Sequence, residues 1–300
     1  MELRDIEYFA VAAEHGHLGR AAEALGLSQP ALSKSLRRLE AALKVKLVKR
    51  TARGVEPTAE GAALLSRVLK LRLMVRNVAR EVAEVSEGRT GQLRIGLSMA
   101  VSETFLSKTF AAVMRDAPSI RLKVSISDND LMIPALLDGE LDVIVNYGRP
   151  HDTLVSELLY DDAFVVCAST RHRLAGRETV TLAELAQERW ALSEPTLISQ
   201  RWLLDRFREA GVPPLRVSFE SRSVAFRLRT VACSDLLTFA SRSLIRESAA
   251  GADLAILPAA GLSWPFPVSA TYRREPYVPP ALRRFIAVIK ETAQAMAPGA

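Results

Sequence analysis

A run of apolar residues between positions 64 and 85 is the feature that most restricts how this chain can fold. Successive members are 4, 3, 4, 3, 4 and 3 residues apart, and this strict repeat predicts one long helix over residues 59–87. Two apolar positions in every seven make a narrower seam than the stripe by which a helix packs on its own domain. We therefore favour pairing with a second helix over packing within one domain. The expected dimerisation seam consists of Leu64, Val68, Leu71, Val75, Val78, Val82 and Val85.

Residues 18–43, upstream of this helix, have the pattern of two short helices that cross closely. Ser28 is a good N-cap for the second of them. In that helix the leucines repeat on one face, whereas Lys34 and Arg37 fall on the other. A recognition helix needs this division, because one face packs on its domain while the N-terminal end enters the major groove of DNA. We therefore predict a helix-turn-helix over about Leu18 to Arg37.

Positive charge is concentrated in the same region. Residues 34–53 carry eight Lys or Arg residues and one acid, whereas the formal net charge of the whole chain is only +6. A local basic segment on a nearly neutral chain indicates a polyanionic partner, although a solvated basic surface would have the same composition. The basic segment continues into a short extended pair within residues 44–61, with Arg53 at its tip. Such a pair predicts a wing, from which Arg53 can reach a phosphate or the minor groove.

The remainder of the chain, residues 91–300, alternates strand-like and helix-like segments. This order implies parallel βαβ units, and the length suits two small α/β lobes. Ligands of such sheets bind beyond the carboxyl ends of strands, commonly in a cleft. We predict strands at 142–146, 163–168, 216–220 and 236–240, and helices at 102–115, 130–138, 181–188, 199–210, 222–233 and 280–295.

The sequence lacks the features of an exported or membrane protein. It has no run of 18 apolar residues and no signal-peptide pattern at its N-terminus, so we expect a cytoplasmic protein without a membrane partner. Only two cysteines occur, Cys167 and Cys233, which makes a disulfide framework unexpected. His15 and His17 are two residues apart at a helix end, a spacing that indicates a turn rather than a metal site.

The N-terminal motifs resemble those of LysR-type transcriptional regulators. The matching residues are Ala21-Ala22, Leu25, Ser28 to Ser33, Leu36, Leu39-Glu40, Leu47, Arg50, Arg53 to Val55 and Thr58 to Gly61. Looser matches follow at Pro118, Leu136 to Asp142 and Leu182 to Leu185. Leu18-Gly19 stands where the family usually has a serine before the second helix, so a different cap is expected there.

The resemblance implies a mixed fold. An all-α winged helix-turn-helix is expected at residues 1–58, followed by a linker and dimerisation helix with its hinge at 59–90. A two-lobed α/β effector domain, similar to periplasmic solute-binding proteins, is expected at 91–300. Its first lobe would comprise about 91–161 and 268–300, and its second about 162–267.

The resemblance also implies partners. They are double-stranded promoter DNA with a partly palindromic site, RNA polymerase, a small-molecule inducer, and further copies of the chain in a homodimer or a dimer-of-dimers tetramer. No cofactor and no catalytic residue are expected. The candidate DNA-binding residues are Ser28, Gln29, Pro30, Ser33, Lys34, Arg37, Arg50 and Arg53. Glutamine can read adenine edges, serine several bases, and Lys or Arg can read guanine or hold phosphate.

The effector site implied by the resemblance lies between the lobes, near the end of the first strand. Ser98 and Ser102 flank a helix N-terminus there, which favours an anionic group such as a carboxylate. Asp128 would disfavour a simple anion if it faced the cleft, so an organic acid and a sugar-like metabolite both stay open. The candidate effector-binding residues are Ser98, Met99, Ser102, Asp128, Asn146, Tyr147, Thr196, Ser199 and Phe266.

Three other functions compete with a metabolite-responsive regulator. An enzyme lacks support, because the sequence has no GxGxxG, GxxxxGK[ST], HExxH or GxSxG motif. A solute-binding protein would account for the last 210 residues but not for the DNA-binding segment. A redox-sensing regulator would use Cys167 and Cys233. Reactive thiols need exposure and nearby cations, and both cysteines have the sequence surroundings of core residues.

Overall fold

A computed structural model describes residues 2–51, 54–87, 91–148, 151–194 and 197–296, without the side chains of 80, 81 and 83–87. The chain forms two compact units, Met1–Val85 and Ser86–Ala300. Within the described ranges, no helix is long and apolar enough to cross a membrane.

The first unit is a helical head with a two-stranded wing and a long C-terminal helix. Helix α2 (Leu18–Ala24) is capped by His17, whose Nδ1 atom accepts a hydrogen bond from the Gly19 amide at 3.1 Å. Thr58 caps the long helix α4 as its position suggests, accepting from the Gly61 amide at 3.0 Å. The elements are α1 (Leu3–His15), α2 (Leu18–Ala24), α3 (Gln29–Leu43), β1 (Val48–Thr51), β2 (Gly54–Pro57) and α4 (Ala59–Glu87).

Two glycines hold the wing and α4 against the rest of the head. At Gly54, whose φ is 137°, an added Cβ would lie 2.1 Å from the carbonyl oxygen of Gly16. At Gly61 it would lie 2.0 Å from the carbonyl oxygen of Leu47. No other residue fits such close backbone approaches.

The second unit is a two-lobed α/β structure. Its main sheet has the strand order β10-β6-β11-β5-β3-β4, with β9 also paired to β6, and β7 and β8 form a separate pair. The elements are β3 (Gln92–Ser98), α5 (Glu103–Asp116), β4 (Arg121–Ser127), α6 (Asn129–Leu137), β5 (Val143–Tyr147), β6 (Leu154–Ser169), α7 (Leu182–Ala186), β7 (Arg189–Leu192), α8 (Ile198–Glu209), β8 (Arg216–Glu220), α9 (Val224–Ala232), β9 (Thr238–Ser241), α10 (Arg242–Glu247), β10 (Leu254–Ile256), β11 (Trp264–Arg273) and α11 (Pro280–Met296).

The expectation of parallel βαβ units is confirmed for only part of this unit. Strand β3 is parallel to β4 and β5, and β7 is parallel to β8. Strands β6 and β11 are antiparallel to every partner they have in the described sheet. The sequence did not predict β11, because Pro265 and Pro267 argue against a strand.

Strands β6 and β11 run through both lobes. Their register shifts between Val268 and Ser269, which pair with Tyr160 and Leu158, so that one residue of β6 is left without a partner in the ladder. Such a bulge bends a strand and increases its twist. It lies close to the predicted boundaries between the lobes, at about 161–162 and 267–268.

Candidate DNA-binding surface and interlobe cavity

Helix α3 has a buried face and a free N-terminal end. The Ser28 hydroxyl caps it by accepting a hydrogen bond from the Ala31 amide at 3.3 Å. Leu32, Leu36 and Leu39 are buried in the core of the head. On the outer side, Ser28, Gln29, Pro30, Lys34 and Arg37 are exposed, and Ser33 is half-buried.

The cations on this outer side are available for an anionic partner. Lys34 and Arg37 form no ion pair within the described part of the chain, and Arg37 Nε donates only to the Ser33 carbonyl oxygen at 3.3 Å. Arg50, on β1 of the wing, is exposed as well. Arg53 lies outside the described residues.

Arg38, also on α3, forms an ion pair within the head. Its Nε atom donates to Asp5 Oδ2 at 2.8 Å, and Asp5 Oδ1 also accepts from the Ser35 hydroxyl at 2.6 Å. The hydrogen bond from Arg38 is the largest cause that lowers the pKa of Asp5, to about 2. This cluster joins α1 to α3 and holds α3 in place. Sequence reasoning missed it, because the partners are some 30 residues apart along the chain.

Glu40 connects the C-terminal part of α3 to the segment that leads into the wing. Its Oε1 accepts from the Leu47 amide at 2.9 Å, and its Oε2 accepts from Lys46 Nζ at 2.8 Å. Burial opposes ionisation of this carboxyl group, but the bonds from Lys46, Leu47 and Val48 outweigh burial and lower its pKa. The acid within the basic segment is therefore structural.

The heptad seam on α4 divides into two parts, which narrows the predicted dimerisation surface. Val68 is only 3% exposed, and Leu64 is half-buried where it packs on the core of its own head. Val68 is therefore covered within the monomer, contrary to its predicted place in the dimer seam. The next four members are exposed, and the side chain of Val85 lies outside the described residues. The exposed fractions are 39% for Leu71, 60% for Val75, 54% for Val78 and 64% for Val82.

A narrow cavity lies between the lobes of the second unit. Five of the predicted effector residues line it: Ser98, Met99, Asp128, Tyr147 and Ser199. Burial raises the pKa of Tyr147 to about 12, while a hydrogen bond with Ser199 acts in the opposite direction. The cavity volume is about 40 Å³, room for only a few water molecules.

Three other predicted effector residues do not line this cavity. Ser102 caps α5 and donates to Glu247, so its hydroxyl is already used. Asn146 accepts from the Thr271 hydroxyl at 3.0 Å, within the sheet. Phe266 is 2% exposed and packs against Tyr147 and Phe164, with ring centroids 5.0 and 4.8 Å away. Thr196, the remaining candidate, lies outside the described residues.

The cavity contains polar groups that the sequence analysis did not select. Arg227, on α9, is 3% exposed, and its guanidinium donates to two neutral oxygens. Asn129, Ser193 and Gln200 each have a buried side-chain atom without a hydrogen-bond partner among the described residues. Nothing in the local sequence distinguishes Arg227 from Arg229 on the same helix, because the burial of Arg227 depends on how α9 packs against β6 and β9.

Arg222, which lines the cavity, forms two ion pairs. Arg222 Nε lies 3.0 Å from Glu194 Oε1, and an Nη atom of Arg222 lies 3.6 Å from Asp128 Oδ2. Burial is the largest cause that raises the pKa of Asp128, and the charge of Arg222 only partly offsets it. Asp128 thus faces the cleft, as the sequence analysis considered, but beside a cation.

The two cysteines have different surroundings. Cys167 is completely buried on β6, and burial raises the pKa of its thiol to about 12. Cys233, at the end of α9, is exposed. A buried thiol with a raised pKa is a poor nucleophile toward oxidants. The surroundings of Cys167 therefore argue against a sensing role, and the prediction that Cys233 is a core residue is wrong.

Comparison with known proteins gives two family matches that together cover most of the chain. Residues 3–62 match the bacterial regulatory helix-turn-helix protein family named for lysR, and residues 86–294 match the LysR substrate binding domain.

Individual relatives agree with these matches. The HTH-type transcriptional regulator GbpR of Azospirillum brasilense is 28% identical over 264 residues, 86% of this chain and 77% of the relative. The DNA-binding transcriptional dual regulator OxyR of Escherichia coli is 30% identical over 195 residues, 65% of this chain and 64% of the relative. Among solved structures, full-length CbnR complexed with its target DNA has the same fold. Its TM-score is 0.65 at 22% identity, with coverage of 97% of this chain and 100% of CbnR.

Proposed function

The chain belongs to the LysR family of bacterial transcriptional regulators, and on that premise we propose that it binds a partly palindromic promoter site as a dimer and changes transcription when a small metabolite enters the interlobe cavity. The family consists of DNA-binding regulators with an effector domain, not of enzymes. We place its action in the cytoplasm, where bacterial promoters are.

The observation that carries this proposal is the free N-terminal end of α3. Gln29 and Lys34 are exposed there, on a helix whose other face is fixed in the head. Such an end can enter the major groove, where Gln29 would read an adenine edge and Lys34 a guanine or a phosphate. Arg50 and the wing residue Arg53 would hold the flanking phosphates, which gives affinity without sequence preference.

The exposed part of the α4 seam supports a dimer. Val75, Val78 and Val82 leave an apolar stripe on the surface of the head, and the same stripe on a second copy would cover it. Two heads then present two recognition helices to one duplex, so the DNA site should have two halves. Two such dimers on one promoter would make the tetramer that the family resemblance implies.

The cavity supports the sensing step. It is lined by Ser98 of one lobe and Ser199 of the other, so a ligand that contacts both would favour one lobe arrangement. In our proposal this change alters how the bound regulator bends DNA and contacts RNA polymerase.

Selection of bound fragments from a random duplex library tests the DNA part of the proposal. We expect the recovered sites to share two half-sites related by a dyad, one for each recognition helix. Gln29→Ala should recover a more degenerate half-site of unchanged spacing, because the spacing is set by the dimer and not by base contacts. Recovery of fragments with no shared sequence would contradict the proposal.

A further inference from the structure

We propose that the interlobe cavity binds a small monocarboxylate that also carries a hydrogen-bond donor group, and that Arg227 pairs with its carboxylate. This inference rests on the proposed function, because it names the chemical class of the effector. It also moves the anion site from the α5 N-terminus, where the sequence analysis expected it, to α9.

Arg227 is a buried cation that lacks an anion. Its Nε donates to Thr238 Oγ1 at 3.1 Å and its Nη1 to the Ser221 carbonyl oxygen at 2.8 Å, and both acceptors are neutral. Within the described ranges, no carboxylate forms an ion pair with it. Burial lowers the pKa of Arg227 to about 10, so the group still carries its charge at neutral pH. A buried charge is costly unless a counter-charge accompanies it, and a ligand carboxylate would provide one.

The other polar groups of the cavity call for a donor on the same ligand. Asn129 Nδ2 donates to the Tyr147 carbonyl oxygen at 2.6 Å, which fixes the orientation of the amide and leaves Oδ1 as an acceptor. Asn129 Oδ1, Gln200 Oε1 and Ser193 Oγ are buried without a partner among the described residues. Because two of these atoms can only accept, a hydroxyl or ammonium group on the ligand would satisfy them.

The charge around the cavity limits the ligand to one carboxylate. Arg222, the other cation of the lining, is already engaged by Glu194 and Asp128. A second negative charge on the ligand would face Asp128 with no free cation beside it. The small cavity volume likewise favours a short ligand over a dicarboxylate or a sugar phosphate.

A thermal-shift comparison on the full chain tests the assignment. The probes are lactate, glycerate, alanine and serine, each compared with its primary amide, together with propionate, succinate and inorganic phosphate. We expect at least one donor-bearing monocarboxylate to raise the Tm, and to do so more than its amide, propionate and the dianions. Comparison of the hydroxy acids with the amino acids shows whether the donor on the ligand is a hydroxyl or an ammonium group.

Variants at Arg227 test whether the rise in Tm depends on this residue. Arg227→Gln should fold at least as stably as the wild type without ligand, because it removes an unpaired buried charge. It should weaken binding of the same carboxylate about 10- to 100-fold, the loss of one charge-assisted hydrogen-bond pair. Arg227→Lys, which keeps the charge, should retain part of the response. Equal shifts for acid and amide, an unchanged response in Arg227→Gln, or no carboxylate-specific shift in the panel would overturn the assignment.

A cavity-filling variant separates this inference from the proposed function. Ser199→Leu should abolish binding of any ligand in the cavity, whatever its charge. If a neutral compound binds the wild type and Arg227→Gln but not Ser199→Leu, the monocarboxylate assignment is overturned while the cavity remains the effector site. Binding of promoter DNA, measured on the same proteins, reports on the regulator function independently of both.

Discussion

Glu247 in the second lobe accepts a hydrogen bond from the hydroxyl of Ser102 in the first lobe. Its other carboxylate oxygen accepts from the Thr104 amide at 3.1 Å. Ser102 itself caps α5 by accepting from the Phe105 amide at 3.0 Å. The carboxylate that the sequence analysis expected from a ligand at this helix N-terminus is therefore supplied by the chain itself, across the cleft.

Removing this carboxylate should loosen the contact between the lobes. In Glu247→Ala we expect faster hydrogen exchange at the amides of Thr104 and Phe105, and a loss of about 1–2 kcal/mol from the hydrogen bonds and the helix-end charge. Exchange followed by mass spectrometry measures the change. Glu103→Ala is the matched control, because it removes an exposed acid from the first turn of the same helix without a bond to the other lobe. Equal exchange in the two variants would argue against a role in lobe closure.

The Asp5 cluster should stabilise the head alone. Asp5→Ala removes the partner of the buried Ser35 hydroxyl and of Arg38, for a loss of about 2 kcal/mol. All three tryptophans, Trp190, Trp202 and Trp264, belong to the second unit. The variant should therefore lower DNA binding and the helical signal of the head on heating, and leave the tryptophan fluorescence transition unchanged. A shift of that fluorescence transition would contradict the assignment.

Lowering the pH should destabilise the head, as Asp5→Ala does. The folded-state pKa of Asp5, about 2, lies below its ordinary value of 3.8. The stability that its ionised form contributes is fully present above about pH 4 and is lost as the pH falls toward 2. Asp5→Asn should show a weaker pH dependence of head unfolding over that range, measured by circular dichroism.

Charge on the exposed seam of α4 should separate the dimer. We expect Val75→Glu with Val78→Glu to give monomers in sedimentation velocity, because glutamates facing each other would repel and lose apolar burial. Ser66→Glu is the control, since Ser66 is exposed on the opposite face of the same helix. Intact dimers in the double variant would reject α4 as the dimerisation helix.

Peroxide tests the redox alternative, in which Cys167 and Cys233 would sense oxidation. Cys167 is buried and its thiol pKa is raised, so we expect no response to peroxide in the wild type. The variant with both cysteines replaced by serine should likewise show the same promoter activity with and without peroxide. A response to peroxide in the wild type that disappears in the double variant would contradict metabolite sensing and favour sensing by thiol oxidation.

Local patterns predicted the elements that depend on local sequence. Helix α3 begins one residue after its Ser28 cap, and α4 covers residues 59–87 as the heptad spacing indicates. The predicted dimer seam was only partly right, because periodicity identifies an apolar face but not what covers it: Val68 is buried within the monomer. Strand β11 could not be predicted from its sequence, since its two prolines lie where it pairs with β6 alone, before its pairing with β5 begins at Val268.

The residues that line the cavity were also predicted only in part. Ser98, Met99, Asp128, Tyr147 and Ser199 were found through the family resemblance, which fixes where the strands of such a domain end. Arg227 was not found, because an arginine in an amphipathic helix is ordinarily exposed and only the tertiary packing buries it.

Binding of promoter DNA tests the central claim most directly. Fluorescence anisotropy with a duplex taken from upstream of a gene beside this one, and with a scrambled duplex, should give tighter binding to the natural sequence and a steep loss of affinity with added salt. Gln29→Ala should narrow the difference between the two duplexes, whereas Arg50→Ala should weaken both alike. Equal affinity of the wild type for both duplexes would contradict the claim that this chain is a sequence-specific regulator.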